Sequence, residues 1–298
     1  MALLSQLRRE LRFNGEFLQL IQTLKNIAAS QYHALEREKE RFNEFLEAFA
    51  GFFQVVDMAA VDDPLVHSTT DVMGVVMVTS DSGFMGSLNA GVIEAGIEAQ
   101  ATAAEDKVRF IVIGEKGAGK LAEANKPFKF FPGIAPDTRF EQALEIRDYL
   151  VKEVLERRLG RIMLVHPRPL SFTQQTIETI RILPCSDLFD KTSAVIAEHT
   201  TGKGLAADAR KVVVESSFRD MAQYLAGTWI ASKLYEVFED SKLAEFAARA
   251  MHLEDSAQKL EKDHKKLKHQ CFRAAHELVD KSMRESFSAR KKKRRKVA

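Results

Sequence analysis

A run of glycines and lysines has the spacing of a phosphate-binding loop, and it reads Gly114-Glu115-Lys116-Gly117-Ala118-Gly119-Lys120-Leu121. Glycines here would let backbone amides contact phosphate oxygens, and Lys120 would reach the terminal phosphate. The eighth position is Leu121, although magnesium binding needs a Ser or Thr hydroxyl there. A glycine-rich turn is also needed wherever a strand meets a helix tightly. We therefore favour a structural role, with a P-loop-like nucleotide-binding protein carrying coiled-coil arms as the alternative.

A second polar segment, Ser80-Asp81-Ser82-Gly83-Phe84-Met85-Gly86-Ser87-Leu88-Asn89, follows a predicted strand and precedes a helix. Ligands often bind at such strand ends in α/β sheets. Nucleophilic catalysis by Ser80 or Ser82 would need a base to activate the hydroxyl, and the adjoining sequence contains no histidine or basic residue. The residue types therefore favour a turn with an Asp or Ser helix cap, and we expect no catalytic residue.

The histidines and cysteines are not spaced as metal ligands are. His264 has no partner histidine four residues away, and Cys185 and Cys271 form no Cys-x-x-Cys pair. Two separated cysteines favour a reducing compartment. We expect no metal site and no cofactor.

These segments must be positioned by elements of two kinds, and the first is a long helix at each end of the chain. Apolar residues recur every three or four positions from about Leu3 to Val56 without a proline. A pattern of this length without internal caps is typical of a coiled coil. The residues are Leu4, Leu7, Leu11, Leu18, Ile21, Leu24, Ala28, Leu35, Phe42, Phe45, Phe49, Phe52 and Val56.

The C-terminal segment carries the same signal as an a/d seam over several heptads. The seam residues are Phe246, Ala250, Leu253, Ala257, Leu260, His264, Leu267, Cys271, Ala274 and Leu278. Apolar residues between Phe218 and Phe238 extend the helical pattern back to about Ala207. The simplest arrangement packs the two long helices against each other in antiparallel fashion, with the middle of the chain inserted between them.

The middle of the chain alternates between short β-branched segments and helical patterns. Strands are predicted at residues 72–78, 108–113, 161–165 and 173–183, and helices at 88–103, 117–125 and 140–158. This alternation predicts βαβ units on a mostly parallel sheet. The fold class is therefore α/β with long helices: an antiparallel two-helix coiled coil plus an inserted, doubly wound, Rossmann-like domain. The expected division is coiled-coil helix 1–60, inserted domain 70–200, coiled-coil helix 207–289 and basic tail 290–298.

Positive charge is concentrated in the last segment, Arg290-Lys291-Lys292-Lys293-Arg294-Arg295-Lys296, although 44 Lys and Arg nearly balance 42 Asp and Glu over the whole chain. A solvated tail is favoured, and a coiled-coil scaffold that binds nucleic acid through this tail is a further alternative. No apolar run reaches the roughly 20 residues needed to span a bilayer.

Three motifs in register resemble the gamma subunit family of F-type ATP synthases, the rotating central stalk. The first, Thr23-Leu24-Lys25-Asn26-Ile27-Ala28-Ala29-Ser30-Gln31-Tyr32, is similar to the family's lower N-terminal helix. The second motif has two parts. Its first part, Ser80–Asn89, is similar to the family's Ser-Asp-x-Gly-Leu-Cys-Gly-x-(Leu/Phe)-Asn signature. Its second part, Gly114-Glu115-Lys116-Gly117, is similar to the family's Gly-x-Lys-Gly turn. The third, Glu245-Phe246-Ala247-Ala248-Arg249-Ala250-Met251, is similar to the family's Glu-x-Ala-Ala-Arg-Met. The match covers nearly the whole chain.

The chain resembles a divergent member of the family, because it departs from the family pattern at several positions. Ser82 stands where the signature usually has Arg, Met85 stands where it has Cys, and Gln270-Cys271 aligns with the family's Arg-Gln pair. Family members end in a small apolar tip inside an apolar sleeve, where the basic tail of this chain would be costly to bury. The tail is therefore expected to protrude or to meet acidic groups.

The resemblance implies a non-catalytic rotor subunit that couples ion translocation through a membrane ring of c subunits to ATP synthesis or hydrolysis in a hexamer of alpha and beta subunits. It also implies an epsilon-type partner, no nucleic-acid partner, and a peripheral position on the cytoplasmic face of an energy-transducing inner or plasma membrane. The expected partner contacts on the shaft surface are Lys25, Asn26, Ser30, Arg249 and Gln270. Charge-assisted hydrogen bonds are expected to dominate them.

Overall fold

The computed structural model describes residues 2–53, 62–101, 104, 107–185 and 217–295, with side chains at all of these except residues 2, 39–53, 218 and 289–295. Two compact units are present. The first, called the coil unit, comprises Met1–Ile27 and Ala250–Ala298. The second, called the sheet unit, comprises Ala28–Arg249.

Two long helices, five strands and three shorter α-helices make up the described residues. In chain order they are α1 (Ala2–Phe53), β1 (Met73–Val78), α2 (Leu88–Gln100), β2 (Val108–Ile113), α3 (Glu115–Glu123), β3 (Phe128–Phe131), a 3-10 turn (Pro136–Thr138), α4 (Arg139–Leu155), β4 (Arg161–Pro169), β5 (Gln175–Leu183) and α5 (Phe218–Arg295). The predicted fold class is confirmed. Several predictions fall outside the described residues: the start of the last helix near Ala207, the side chains of Phe42, Phe45, Phe49 and Phe52, Val56, and the side chains of the basic tail.

In the coil unit, α1 and α5 pack against each other through an apolar seam. Ile21 lies in one buried cluster with Leu253 and Ala257. Lys25 pairs with Glu254 at 2.8 Å, whereas Gln22, earlier on α1, donates to Glu261, later on α5. The opposite order of these contacts means that the helices are antiparallel, as predicted. The nine predicted seam residues of this unit, from Ala250 to Leu278, and Phe246 in the sheet unit are all buried or half-buried, so the heptad prediction is confirmed.

A polar pair interrupts the apolar seam of the coil unit. Asn14 is buried, and its Oδ1 lies 3.1 Å from Nδ1 of His264. Gly15 lies beside the imidazole, and a Cβ at that position would be in ordinary van der Waals contact with the ring at 3.4 Å. A buried polar pair of this kind fixes helix register, since a slipped helix would leave the amide without its partner.

The sheet unit contains a five-stranded sheet in the order β3-β2-β1-β4-β5. The first four strands in this order pair in parallel, and β5 pairs antiparallel to β4. The predicted mostly parallel sheet is therefore confirmed. All six residues of β1 are buried, as expected for a central strand that is covered on both faces.

Helices cover both faces of the sheet, so alternate residues of each strand belong to two separate cores. Met73, Val75 and Met77 face the core that α2 and α3 cover. Val76 and Val78 face the larger core under α4 and α5. The residues that α5 adds to this larger core are Ala222, Ala226, Ile230, Leu234, Val237 and Phe238. Burial of these side chains makes α5 a structural part of the sheet unit as well as of the coil unit.

One strand was not predicted from the sequence. β3 has only four residues and follows Pro127 directly, so its pattern is that of a loop rather than of a strand. It pairs with β2 from Phe110 to Ile113 and forms one edge of the sheet. The helix after the glycine-rich turn also begins two residues earlier than the predicted 117, at Glu115.

His166 on β4 is a buried titratable group. Its ring is 2 % exposed, with Nδ1 3.3 Å from the carbonyl oxygen of Pro167 and Nε2 4.0 Å from Glu178. Burial lowers the pKa of His166, and this outweighs the opposing effects of Asp240, Glu178 and the Pro167 hydrogen bond. Lys233 adds to the lowering. The imidazole is therefore neutral in the folded chain at neutral pH.

We expect the sheet unit to lose stability as the pH falls below about 6.5, the ordinary histidine value. Between the lowered pKa of His166 in the folded chain and about 6.5, the unfolded chain binds more protons than the folded chain does. The free energy of unfolding therefore decreases as the pH decreases. Denaturant unfolding followed by the fluorescence of Trp229, the single tryptophan, would measure this, because Trp229 packs against the larger core.

A non-titrating variant, His166→Gln, should show a flatter pH dependence of the unfolding free energy in this window. His252→Gln is the matched control, because His252 is exposed on α5. An unchanged slope in His166→Gln would contradict the assignment.

Candidate functional site

The two polar segments singled out in the sequence lie side by side at the carboxyl edge of the sheet. Thr79, just after β1, donates to the carbonyl oxygen of Ile113 through its amide at 2.8 Å and through its hydroxyl at 2.7 Å. Asn89 holds Ser80 twice, since its Nδ2 donates to Ser80 Oγ at 3.0 Å and its Oδ1 accepts from the Ser80 amide at 3.2 Å. These bonds fix the start and the end of the Ser80–Asn89 segment.

The amino end of α3, where a phosphate would bind, is occupied by oxygens of the chain itself. Three amides donate there: Glu115 to Asp81 Oδ1 at 2.8 Å, Lys116 to the Ser80 carbonyl oxygen at 3.0 Å, and Gly117 to Thr79 Oγ1 at 3.0 Å. Amides at this end of a helix are the donors that phosphate-binding loops use. Lys120 is also engaged, with Glu123 at 2.8 Å. The geometry supports the structural interpretation of the glycine-rich turn and leaves the P-loop alternative without these donors.

Helix α5 fills the cleft beside β1 in which doubly wound sheets often bind a ligand. Ser241 and Glu245 of α5 line a cavity there together with Ser80, Asn89, Pro167 and neighbouring apolar residues. The cavity measures about 10 Å³, which is at the lower limit for a single water molecule. The helix thus occupies the place of a ligand, and the edge of the sheet serves as a seat for α5.

Arg249 joins α5 to the turn inside Ser80–Asn89. Its Nη2 lies 2.6 Å from Glu245 Oε1, and its Nε donates to the carbonyl oxygen of Gly83 at 3.4 Å. Lys242 binds the other Glu245 oxygen at 2.8 Å. Because Glu245 is only 7 % exposed, its charge is balanced inside the protein by these two cations, and loss of either would leave a poorly compensated buried carboxylate.

The other predicted contact residues lie on the two long helices. In the coil unit, Lys25 is half-buried and paired with Glu254, while Asn26 and Gln270 are exposed. Ser30, in the sheet unit, is also exposed. The hydrogen bond from Lys25 holds the pKa of the Glu254 carboxyl below its usual value. Asn26, Ser30 and Gln270 have the exposure that a partner contact requires, whereas Lys25 and Arg249 already have partners within their own units.

Two residues in the β4–β5 hairpin of the sheet unit, which have notable surroundings in the structure, could not be singled out from the sequence. His166 is an isolated histidine in an apolar strand, and Phe172 is an isolated aromatic residue in a turn. Their surroundings are set by tertiary contacts, so periodicity and spacing could not identify them.

Within the described part of the chain, no helix combines the length and the apolar character needed to cross a membrane.

Comparison with known proteins gives a consistent result. Residues 4–285 match the family model described as ATP synthase. The ATP synthase gamma chain of Nitratidesulfovibrio vulgaris is 25% identical over 249 residues, covering 80% of this chain and 80% of that protein. The gamma chain of Chlorobaculum tepidum is 26% identical over 259 residues, covering 76% of this chain and 85% of its own length.

Solved structures share the fold at low sequence identity. A chain from the Euglena gracilis mitochondrial ATP synthase, in an assembly of OSCP, F1 and c-ring, aligns with a TM-score of 0.63 and 14% identity, covering 97% of this chain and 93% of its own. A chain from the central stalk and c-ring of the Tetrahymena thermophila mitochondrial ATP synthase aligns with a TM-score of 0.56 and 18% identity, covering 80% of this chain and 99% of its own.

Proposed function

We infer that this chain, which belongs to the ATP synthase gamma family, works as a mechanical coupling element. It is a non-catalytic central-stalk subunit of the membrane-associated ATP synthase complex. Its role is to pass rotation between an ion-driven membrane ring and the catalytic subunits. An asymmetric pair of helices can contact several identical partners differently, and can therefore bias the conformation that each adopts.

The observation that carries this proposal is the filling of the ligand cleft by α5. A nucleotide-binding sheet would leave that cleft open, whereas here Ser241 and Glu245 occupy it and Arg249 binds the adjoining turn. These contacts anchor a long helix in the sheet unit, as a part that transmits force requires. The nucleic-acid alternative rests on Arg290–Lys296, whose side chains lie outside the described residues.

The proposed partners are the alpha and beta subunits, an epsilon-type subunit and the ring of c subunits. Support comes from the solved relatives, whose assemblies contain F1, a central stalk and a c-ring. We place the chain on the cytoplasmic face of an energy-transducing membrane. Lys25, Asn26, Ser30, Arg249 and Gln270 remain the proposed contact residues, and the exposure of Asn26, Ser30 and Gln270 is consistent with that role.

A pull-down from native membranes tests the function. Tagged chain should recover an alternating hexamer with ATPase activity, because the chain itself is expected to have none. The purified chain alone is the control for intrinsic ATPase activity and for ATP binding. Recovery of the chain without a hexamer, combined with tight ATP binding by the chain itself, would instead support the P-loop alternative.

A further inference from the structure

The turn that joins β4 to β5 is rigidly built. Ser171 Oγ accepts hydrogen bonds from the amides of Thr173 at 3.3 Å and Gln174 at 3.1 Å. The Leu170 amide donates to the Gln174 carbonyl oxygen at 2.9 Å, and Gln175 Nε2 donates to the Phe172 carbonyl oxygen at 3.1 Å. Bonds on both sides of Phe172 therefore fix the backbone that carries its ring.

The ring of Phe172 contacts α1. Its centroid lies 5.0 Å from that of Tyr32 in an edge-to-face arrangement and 6.0 Å from that of His33 in a stacked arrangement. Both geometries are among those that aromatic pairs prefer. Tyr32 is 5 % exposed and Phe172 is half-buried, so their contact is largely shielded from solvent, whereas His33 is exposed.

The same turn reaches α5 through the cluster that Phe172 joins. Phe172 packs against buried residues of both long helices: Tyr32, Leu35, Leu243, Phe246 and Ala247. Behind the turn, Arg168 on β4 pairs with Glu178 on β5 at 2.9 Å and approaches Asp240 on α5 at 4.0 Å. The β4–β5 hairpin thus contacts α1 through Phe172 in its turn. It contacts α5 through Phe172 and also through Arg168.

We propose that Phe172 is a positioning residue, which locks the parts of α1 and α5 that belong to the sheet unit to each other and to the sheet, so that these helix segments turn with the inserted domain. The proposal rests on the rotary function proposed above. Without the ring, α1 would still be helical and would still pack on α5 elsewhere, but it would lose its contact with the sheet at Tyr32. Rotation of the domain would then pass to α1 less completely.

The test uses the full complex in inverted membrane vesicles. ATP hydrolysis and the ATP-driven membrane potential are measured on the same vesicles, the latter with a voltage-sensitive dye that responds whichever ion is carried. In Phe172→Ala, we expect the ratio of membrane potential generation to hydrolysis to fall roughly two- to tenfold, the loss expected for one aromatic contact. Hydrolysis per assembled complex should stay within about twofold.

The conservative variant Phe172→Tyr keeps the ring and should restore the ratio, whereas Phe172→Leu keeps apolar volume without the ring and should fall between. Leu170→Ala is the matched control, because Leu170 lies in the same turn and is 66 % exposed. A purely structural role would lower the amount of assembled complex but leave the ratio per complex unchanged. An unchanged ratio in Phe172→Ala would overturn the proposal.

If Phe172→Ala does not assemble, the comparison between the Leu and Tyr variants decides, and equal ratios would overturn the proposal. The proposed function fails separately, and only if the wild-type chain recovers no ATPase partner.

Discussion

Replacing Gly114 by alanine is expected to destabilise the sheet unit by about 3 kcal/mol or more. Gly114 has φ +98° and ψ 143°, a region in which side chains other than glycine are strained. A Cβ there would also overlap the backbone carbonyl oxygen of Thr79, which cannot move without breaking the edge of the sheet. Denaturant unfolding followed by Trp229 fluorescence measures the loss.

Gly119→Ala is the matched control for Gly114→Ala. Gly119 lies inside α3 with open space where a Cβ would be, so alanine should raise stability by roughly 0.5–1 kcal/mol through its helix propensity. In a phosphate-binding loop, by contrast, Gly119 would face the phosphate, and Gly119→Ala would impair phosphate binding. Similar losses of stability in the two variants would contradict the structural account of this turn.

Replacing Arg249 by alanine is expected to uncouple ATP hydrolysis from ion pumping in the assembled complex. The change removes the hydrogen bond to Gly83 and leaves Glu245 with Lys242 alone. Leaving a buried carboxylate partly unpaired costs about 1–3 kcal/mol, and the Ser80–Asn89 turn loses its link to α5. Hydrolysis rate and ATP-driven membrane potential, measured together, give the readout.

Two further variants separate this role of Arg249 from a general loss of charge. Arg273→Ala removes an arginine from the same helix whose side chain is 84% exposed, so it should leave coupling intact. Arg249→Lys keeps the charge but cannot reproduce the forked contacts of a guanidinium, and should show a partial loss. Coupling that is unchanged in Arg249→Ala would count against the assignment of Arg249 to the coupling path.

The parts of the fold that depend on local periodicity could be predicted from the sequence. The spacing of Leu253 and Ala257 alone predicts a helix seam, and runs of β-branched residues predict the buried strands. β3 could not be predicted in this way, because a strand of four residues after a proline has too little pattern. Its position depends on pairing with β2, which is a tertiary contact.

The sequence predicts which segment forms the candidate site, but it does not predict which contacts hold that segment in place. The sequence favoured a helix cap by an Asp or a Ser in Ser80–Asn89, and Asp81 does cap a helix. That helix is α3, whose first amide lies 34 positions further along the chain, rather than the helix that follows directly. Ser87, which stands at the N-cap position of that following helix, makes no side-chain cap bond. Sequence spacing cannot reveal a cap that is brought into place by sheet pairing.

The register pair of the coil unit has a consequence for synthesis of the protein. Asn14 and His264 are 250 positions apart, so at about 5–20 residues per second a ribosome makes the histidine roughly 12 to 50 seconds after the asparagine. Strands β1 to β5 can pair during that interval, but the apolar seam of α1 stays without α5. The coil unit can therefore form only after α5 has been made, and a nascent chain that stalls before α5 leaves the apolar seam of α1 exposed to chaperones and proteases.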